Sequence, residues 1–385
     1  MHQLHKITFL TICALFVTGC AWVADTMLNR VQELPPYEAN ATATALHQRL
    51  TVVDLHADPL MWNRDLLERS SRGHVDLPRL LEGNVSLQVF GVVTGVPFPP
   101  KLENNKDKRD ILNTIARSQN WPEATHTSRL QRALYQAEKL VNRVQASTGK
   151  LKLITNQREL HELVTERAQG ISVIGALLSL EGAHALEGSV ENLEKLYQAG
   201  FRMLGLVHHF DNAMAGSTHG TRKYGLTDKG RRLIQRAVEL GIVIDLSHSS
   251  AQTIDEVINM VDKPVIASHG GVRGTCDTAR NLEDRHVHAI AETGGVIGIG
   301  IYEYATCGKT LDDTVRAMRY VSDLVGVEHV ALGSDFDGSV TTVFDASGWV
   351  SLTEALLDDG YTPQEISAIM GGNAIRLLKQ VLPAE

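Results

Sequence analysis

Histidine and carboxylate side chains recur in this sequence directly after short apolar runs. His56 and Asp58 end one run in Asp54-Leu55-His56-Ala57-Asp58, and Glu181 ends another in Leu178-Ser179-Leu180-Glu181-Gly182. His208, His248, His269 and Asp335 each close a further run. Imidazole and carboxylate together form the donor set that zinc takes. In a His-x-Asp pair at a strand end, both side chains share one face of the pleat. One carboxylate can bridge two ions, and a pair of ions polarises a carbonyl and lowers the pKa of a shared water from about 15.7 toward about 7. A single histidine in such a place is more often a hydrogen-bonded structural residue than a ligand. Weight comes from the set, in a chain whose 16 histidines exceed what packing needs.

The elements that must position this set are legible as alternating patterns. Eight short runs, β-branched or apolar on both faces, read as buried parallel strands: 51–55, 86–93, 172–180, 203–207, 242–246, 265–267, 296–301 and 330–333. Amphipathic stretches at 191–199, 228–240, 251–261, 284–293 and 311–325 read as helices between them. This alternation predicts an α/β fold, a (β/α)8 TIM barrel. Two helical patterns, 107–117 and 127–147, form an insertion after the second strand, and 353–358 and 363–381 read as closing helices. All strand C-termini of such a barrel open on one face, where active sites lie. The seven polar residues then converge on one rim from six strands.

The N-terminus reads as a targeting segment. A weakly basic start at His2, His5 and Lys6 leads into an apolar stretch, 7–17, too short to span a bilayer. Val17-Thr18-Gly19-Cys20 resembles the lipobox of bacterial lipoproteins. On that reading residues 1–19, with Cys13, are removed, and Cys20 is acylated. Each buried CH₂ contributes about 0.8 kcal/mol, so two or more chains anchor stably. Residues 20–40 read as a tether, and 41–385 as a single (β/α)8 domain. Ala21 after the cysteine points to the periplasmic face of the outer membrane of a Gram-negative bacterium. The net charge of −8 argues against nucleic acid as a partner.

Taken together, the segments VVDLHAD, SLEGAH, GLVHHFDN, GIVIDLSHSS, PVIASHGG, TARNLED, ALGSDFDG and GGNAIRLL resemble those of the renal, or membrane, dipeptidase family of zinc peptidases, in the family's order and spacing. The likeness runs from about Thr51 to Leu378. It implies two zinc ions per chain: His56 and Asp58 match the ligands of the first, Glu181 the bridging carboxylate, and His248 and His269 the ligands of the second. His208 matches the residue that holds the scissile carbonyl oxygen as it becomes an oxyanion. Arg280 matches the arginine that grips the substrate's free carboxylate, and Asp335 the acid that shuttles the proton. His209, adjacent to His208, leaves that assignment open by one residue, and a one-residue shift points the wrong ring inward. Arg273 shares the Arg280 loop and reads as a solvated charge; Asp337 reads as loop support.

The resemblance implies a dipeptide substrate and, since the family often dimerises, a homodimer, although no sequence feature marks an interface. Removal of the signal and acylation of Cys20 leave Cys276 and Cys307, in the loops after the sixth and seventh strands. Animal members of the family carry a bridge at matching positions, so a disulfide is expected here. Two other functions fit the same scaffold: a binding lipoprotein that has lost turnover, and a hydrolase of lactams or cyclic amides.

Overall fold

In this computed structural model residues 22–385 are described; the expected signal segment and the acylation site Cys20 lie outside the described residues. The strands are β1 (Arg30–Val31), β2 (Val52–Ala57), β3 (Val85–Val93), β4 (Leu151–Leu153), β5 (Ile174–Glu181), β6 (Phe201–Gly205), β7 (Val243–Asp245), β8 (Ile266–Ala267), β9 (Val296–Ile299), β10 (Val330–Leu332) and β11 (Thr341–Thr342). Every residue of β2, β3 and β5 is buried, which is why their sequences are apolar almost throughout. The pairing order β3-β2-β10-β9-β8-β7-β6-β5 is parallel throughout, and a β3–β5 pair closes the ring. The eight expected strands are these eight, in a closed (β/α)8 barrel.

One apolar cluster takes at least one residue from every barrel strand, including Leu55, Leu87, Leu177, Met203, Val243, Ile266, Val296 and Ala331. It fills the barrel, so the polar ligands can collect only above it. Helices pack around the outside, and their starts are fixed by side-chain caps. Thr227 accepts from the Gly230 amide and Ser250 from the Thr253 amide, while Thr310 and Asp313 form a reciprocal capping box. Helix Asp228–Glu239 then buries Leu233, Ile234 and Ala237 on the face toward the barrel.

Several boundaries differ from the sequence reading. The insertion after β3 contains helices Ile111–Ser118 and Arg129–Ala146, held by the buried Arg132, which donates to the carbonyls of Thr94 and Thr125. Helices Ala41–His47, Leu77–Glu82 and Gln157–Ala168 carry weaker patterns and were not expected. The single closing helix expected at 363–381 is two, Pro363–Ser367 and Asn373–Val381. The break falls where Gly371 packs so tightly on β2 that a Cβ would stand 2.2 Å from the Thr51 carbonyl oxygen.

The expected tether is the largest correction. Asp25 is 1% exposed, and its carboxylate pairs with Arg72 at 2.8 Å and Arg64 at 3.2 Å. Asn29 accepts from the Ser339 amide, and β1 pairs with β11. Isolated charges and a two-residue strand leave no periodicity in a sequence, yet they bind this segment to the barrel from residue 25 onward.

Cys276 and Cys307 are bonded, with their Cα atoms 5.3 Å apart. The bridge closes a span of 31 residues between the β8 and β9 loops. On the chain-entropy model this contributes about 3–4 kcal/mol. A Cys307→Ser variant should unfold at lower urea concentration by that amount of stability, and an unchanged midpoint would show that the bridge carries no load.

Candidate active site

Five strand ends deliver a cluster of imidazoles around one carboxylate. Glu181, the last residue of β5, is 5% exposed. Its Oε1 lies 3.0 Å from His248 Nε2, 3.4 Å from His208 Nε2, 3.6 Å from His269 Nε2 and 3.7 Å from His56 Nε2. Asp58 Oδ2 lies 3.4 Å from His56 Nε2, and the rings of His56 and His269 stack at 3.8 Å. A register shift between Asp54 and Ala57 re-aims the end of β2. The Asp58 amide then bonds Phe336 O at 2.7 Å, and the Asp335 amide bonds His56 O at 3.2 Å. His248 and Asp335 hold φ of 63° and 59°. Non-glycine residues seldom adopt this conformation, and where they do, a site is the usual reason.

These residues fit divalent metal. Both ring nitrogens of His56, Oδ1 of Asp58 and Oε2 of Glu181 are buried without a hydrogen-bond partner. Gly91 on β3 makes room for them, since a Cβ there would stand 2.3 Å from Asp58 Oδ1 and 2.8 Å from His56 Cε1. Three donor groups each lie within 4.8 Å: His56-Glu181-His269, Glu181-His208-His248 and His56-Asp58-Asp335. Burial, reinforced by neighbouring positive charge, holds His208, His248 and His269 well below the usual histidine range, so they stay neutral with a lone pair to give. At His56 burial is outweighed by Asp58 and Glu181, which lift it to about 10. Burial and the Asp58 charge push Glu181 well above the carboxylate range. A cation bound among these groups inverts that balance.

Two hydrogen-bond chains aim the imidazoles, and sequence reasoning found neither. His219 Nδ1 lies 2.6 Å from Leu102 O, which can only accept, so that nitrogen carries the proton. His219 Nε2, 3.0 Å from His248 Nδ1, then accepts from it and leaves His248 Nε2 free for metal. Ser268 Oγ donates to Asp245 Oδ2 at 2.5 Å and so accepts from His269 Nδ1 at 2.9 Å, which frees His269 Nε2. Such outer partners typically change metal affinity 10–100-fold. His219→Ala should weaken metal retention against a chelator by about that factor. His219→Gln, whose amide oxygen can accept from His248, should restore part of it. Equal retention in all three proteins would remove His219 from this role. A third brace ties β2 to β10: Asp54 Oδ2 accepts from Ser334 Oγ at 2.6 Å and from Gln88 Nε2 at 2.8 Å.

The remaining expected residues separate clearly. His208, and not His209, reaches Glu181; the His209 ring lies toward His219, at 5.0 Å. His208 Nε2 stands as close to Glu181 Oε1 as the nitrogens of His269 and His56 do. Arg280 donates to His269 O at 2.9 Å, which holds its guanidinium beside the cluster. Arg273 turns away and pairs with Glu283 at 3.1 Å. Burial raises Asp335, His56 opposes it and Asp58 adds to it, leaving a carboxyl at about 7 that faces the Tyr302 hydroxyl. Asp337 is structural: it accepts from the amides of His74 and Val75 and pairs with Arg64 at 2.7 Å. Arg64 and His74 outweigh its burial and hold it well below the usual carboxylate range.

A closed parallel barrel with a buried His/carboxylate cluster on its C-terminal rim defines a metal-dependent hydrolase. The model of the membrane dipeptidase family, peptidase family M19, matches residues 40–384. The chain belongs to that family, a family of metallopeptidases, and is a dipeptidase-type hydrolase. Among named relatives, dipeptidase aclJ of Aspergillus oryzae is 28% identical over 355 residues, covering 86% of this chain and 78% of its own. Dipeptidase tcpJ of Claviceps purpurea is 24% identical over 318 residues, covering 80% and 69%. Among solved structures, a metallopeptidase from Rhodobacter sphaeroides, bound to a phosphinate mimic of the dipeptide L-Ala-D-Ala, aligns with a TM-score of 0.72 at 24% identity, covering 86% of this chain and 99% of its own. The probable dipeptidase PvdM from Pseudomonas aeruginosa aligns with a TM-score of 0.73 at 20% identity, covering 89% and 98%.

Proposed function

We propose that this protein hydrolyses dipeptides with two zinc ions per chain, one held by His56 and Asp58, the other by His248 and His269, with Glu181 between them. The observation that carries the reading is the convergence of four imidazoles on one Glu181 oxygen, beside an unpartnered second oxygen. Bound there, such ions supply Lewis acidity and a hydroxide at neutral pH. His208 presents its Nε2–H to the carbonyl oxygen as charge develops on it. Asp335 takes a proton from the nucleophile and carries it to the leaving nitrogen. Arg280 pairs with the substrate's free carboxylate, which restricts the site to short substrates.

The Rhodobacter complex makes a dipeptide with a C-terminal D-residue a sensible member of any substrate panel. Elemental analysis of the soluble form should give close to two zinc ions per chain. The same protein should turn over dipeptides with a higher kcat/KM than a lactam. One metal or none in active protein contradicts the two-ion site. A higher kcat/KM for the lactam moves the protein to the cyclic-amide reading, and metal without turnover to the binding reading.

We further propose that the protein is exported and held on the periplasmic face of the outer membrane by acylated Cys20. Among the described residues no helix is long and apolar enough to cross a membrane. Fractionation of Cys20→Ala should find the protein released and still active.

A further inference from the structure

Residues 22–28 are helical, and the two sides of this stretch differ sharply. One side grips the barrel: Ala24 packs on the Met61–Trp62 cluster, and buried Asp25 pairs with Arg64 and Arg72. The other shows Val23 at 45% and Met27 at 57% exposure, with Trp22 at 51% on its edge, 5.7 Å from the Arg72 guanidinium. Val23 and Met27 lie opposite Asp25 at helical spacing. A cluster of large apolar side chains in water needs an occupant. This one includes a tryptophan, the residue favoured at the headgroup level of a bilayer.

From this we infer that residues 22–28 are a bilayer-contacting pad, with Val23 and Met27 resting in the lipid interface and Trp22 at its edge. The inference rests on the proposal that Cys20 is acylated. Two residues span at most about 7 Å, so an anchor at Cys20 leaves Trp22 no room to stand clear of the headgroups. The pad is fixed to the catalytic rim. Arg64, which holds Asp25, also holds Asp337, two residues from Asp335, and Asn29 bonds the Ser339 amide in the same loop. The lipid-facing side of the molecule is therefore the side that carries the proton-transfer loop.

Trp22 is a ready probe, because the other three tryptophans, Trp62, Trp121 and Trp349, are all buried. The full acylated protein is reconstituted in vesicles of phosphatidylethanolamine and phosphatidylglycerol, with or without bromine on the upper acyl chains. The brominated lipid should remove the Trp22 share of the emission, and it should leave Trp22→Phe unquenched. Flotation of the protein with the vesicles, but with no quenching, overturns the pad and leaves the anchor standing. Failure to float, with an unmodified Cys20 peptide by mass spectrometry, overturns both.

Discussion

Asp335→Asn should lower kcat by about 10²–10⁴-fold while leaving KM for dipeptides near its starting value, because a proton carrier acts on the reacting bond and not on binding. Its position supports this. The backbone is held in a left-handed turn by the bond from its amide to His56 O. The Ser334–Asp54 brace lies one residue away and does not involve the Asp335 side chain. The variant should therefore fold and melt like the parent, so a rate loss reads on chemistry. Asparagine keeps the size and loses the transferable proton. Arg280→Ala is the informative contrast: its guanidinium is held beside the cluster and is proposed to grip the free carboxylate, so its loss should appear chiefly in KM. If Asp335→Asn keeps a near-parental kcat, the proton passes elsewhere.

Glu181→Gln should strip the site. Four imidazole nitrogens, from both halves of the cluster, stand 3.0–3.7 Å from one oxygen of this side chain. The amide is nearly isosteric but carries no charge, and a bridging ligand must be anionic to hold two divalent ions close together. Bound zinc should fall below one per chain. With the electrostatic help of the metal worth several kcal/mol, kcat/KM should fall by about 10³-fold or more. Circular dichroism should be unchanged, because the barrel cluster beneath does not include Glu181. A variant that retains two zinc ions and activity within tenfold would remove Glu181 from the bridging position.

The ligand set could be read from sequence for a simple physical reason. A buried parallel strand announces itself as an apolar run, and a histidine or carboxylate at its end breaks that run visibly, as at His56, Glu181 and His269. The braces left no such mark. His219 sits in a loop, Ser217-Thr218-His219-Gly220, and acquires its role only because the insertion brings Leu102 O beside it. Asp54, Asp245 and Ser268 are ordinary polar residues until the register of neighbouring strands pairs them. Gly91 is silent in sequence because its contribution is the side chain it lacks. Asp25 was hidden for the opposite reason: in a polar stretch a single buried carboxylate looks like every exposed one.

The Cys276–Cys307 bond also divides the rim into a tethered and an untethered part. The bridge spans the loop that holds Arg280 and reaches to within five residues of Tyr302, while none of the five proposed metal ligands lies inside that span. The covalent link therefore falls on the part of the rim that carries Arg280, Tyr302 and strand β9, while the proposed ligands stand on strands outside it. An oxidising compartment keeps such a link closed, and a reducing one opens it.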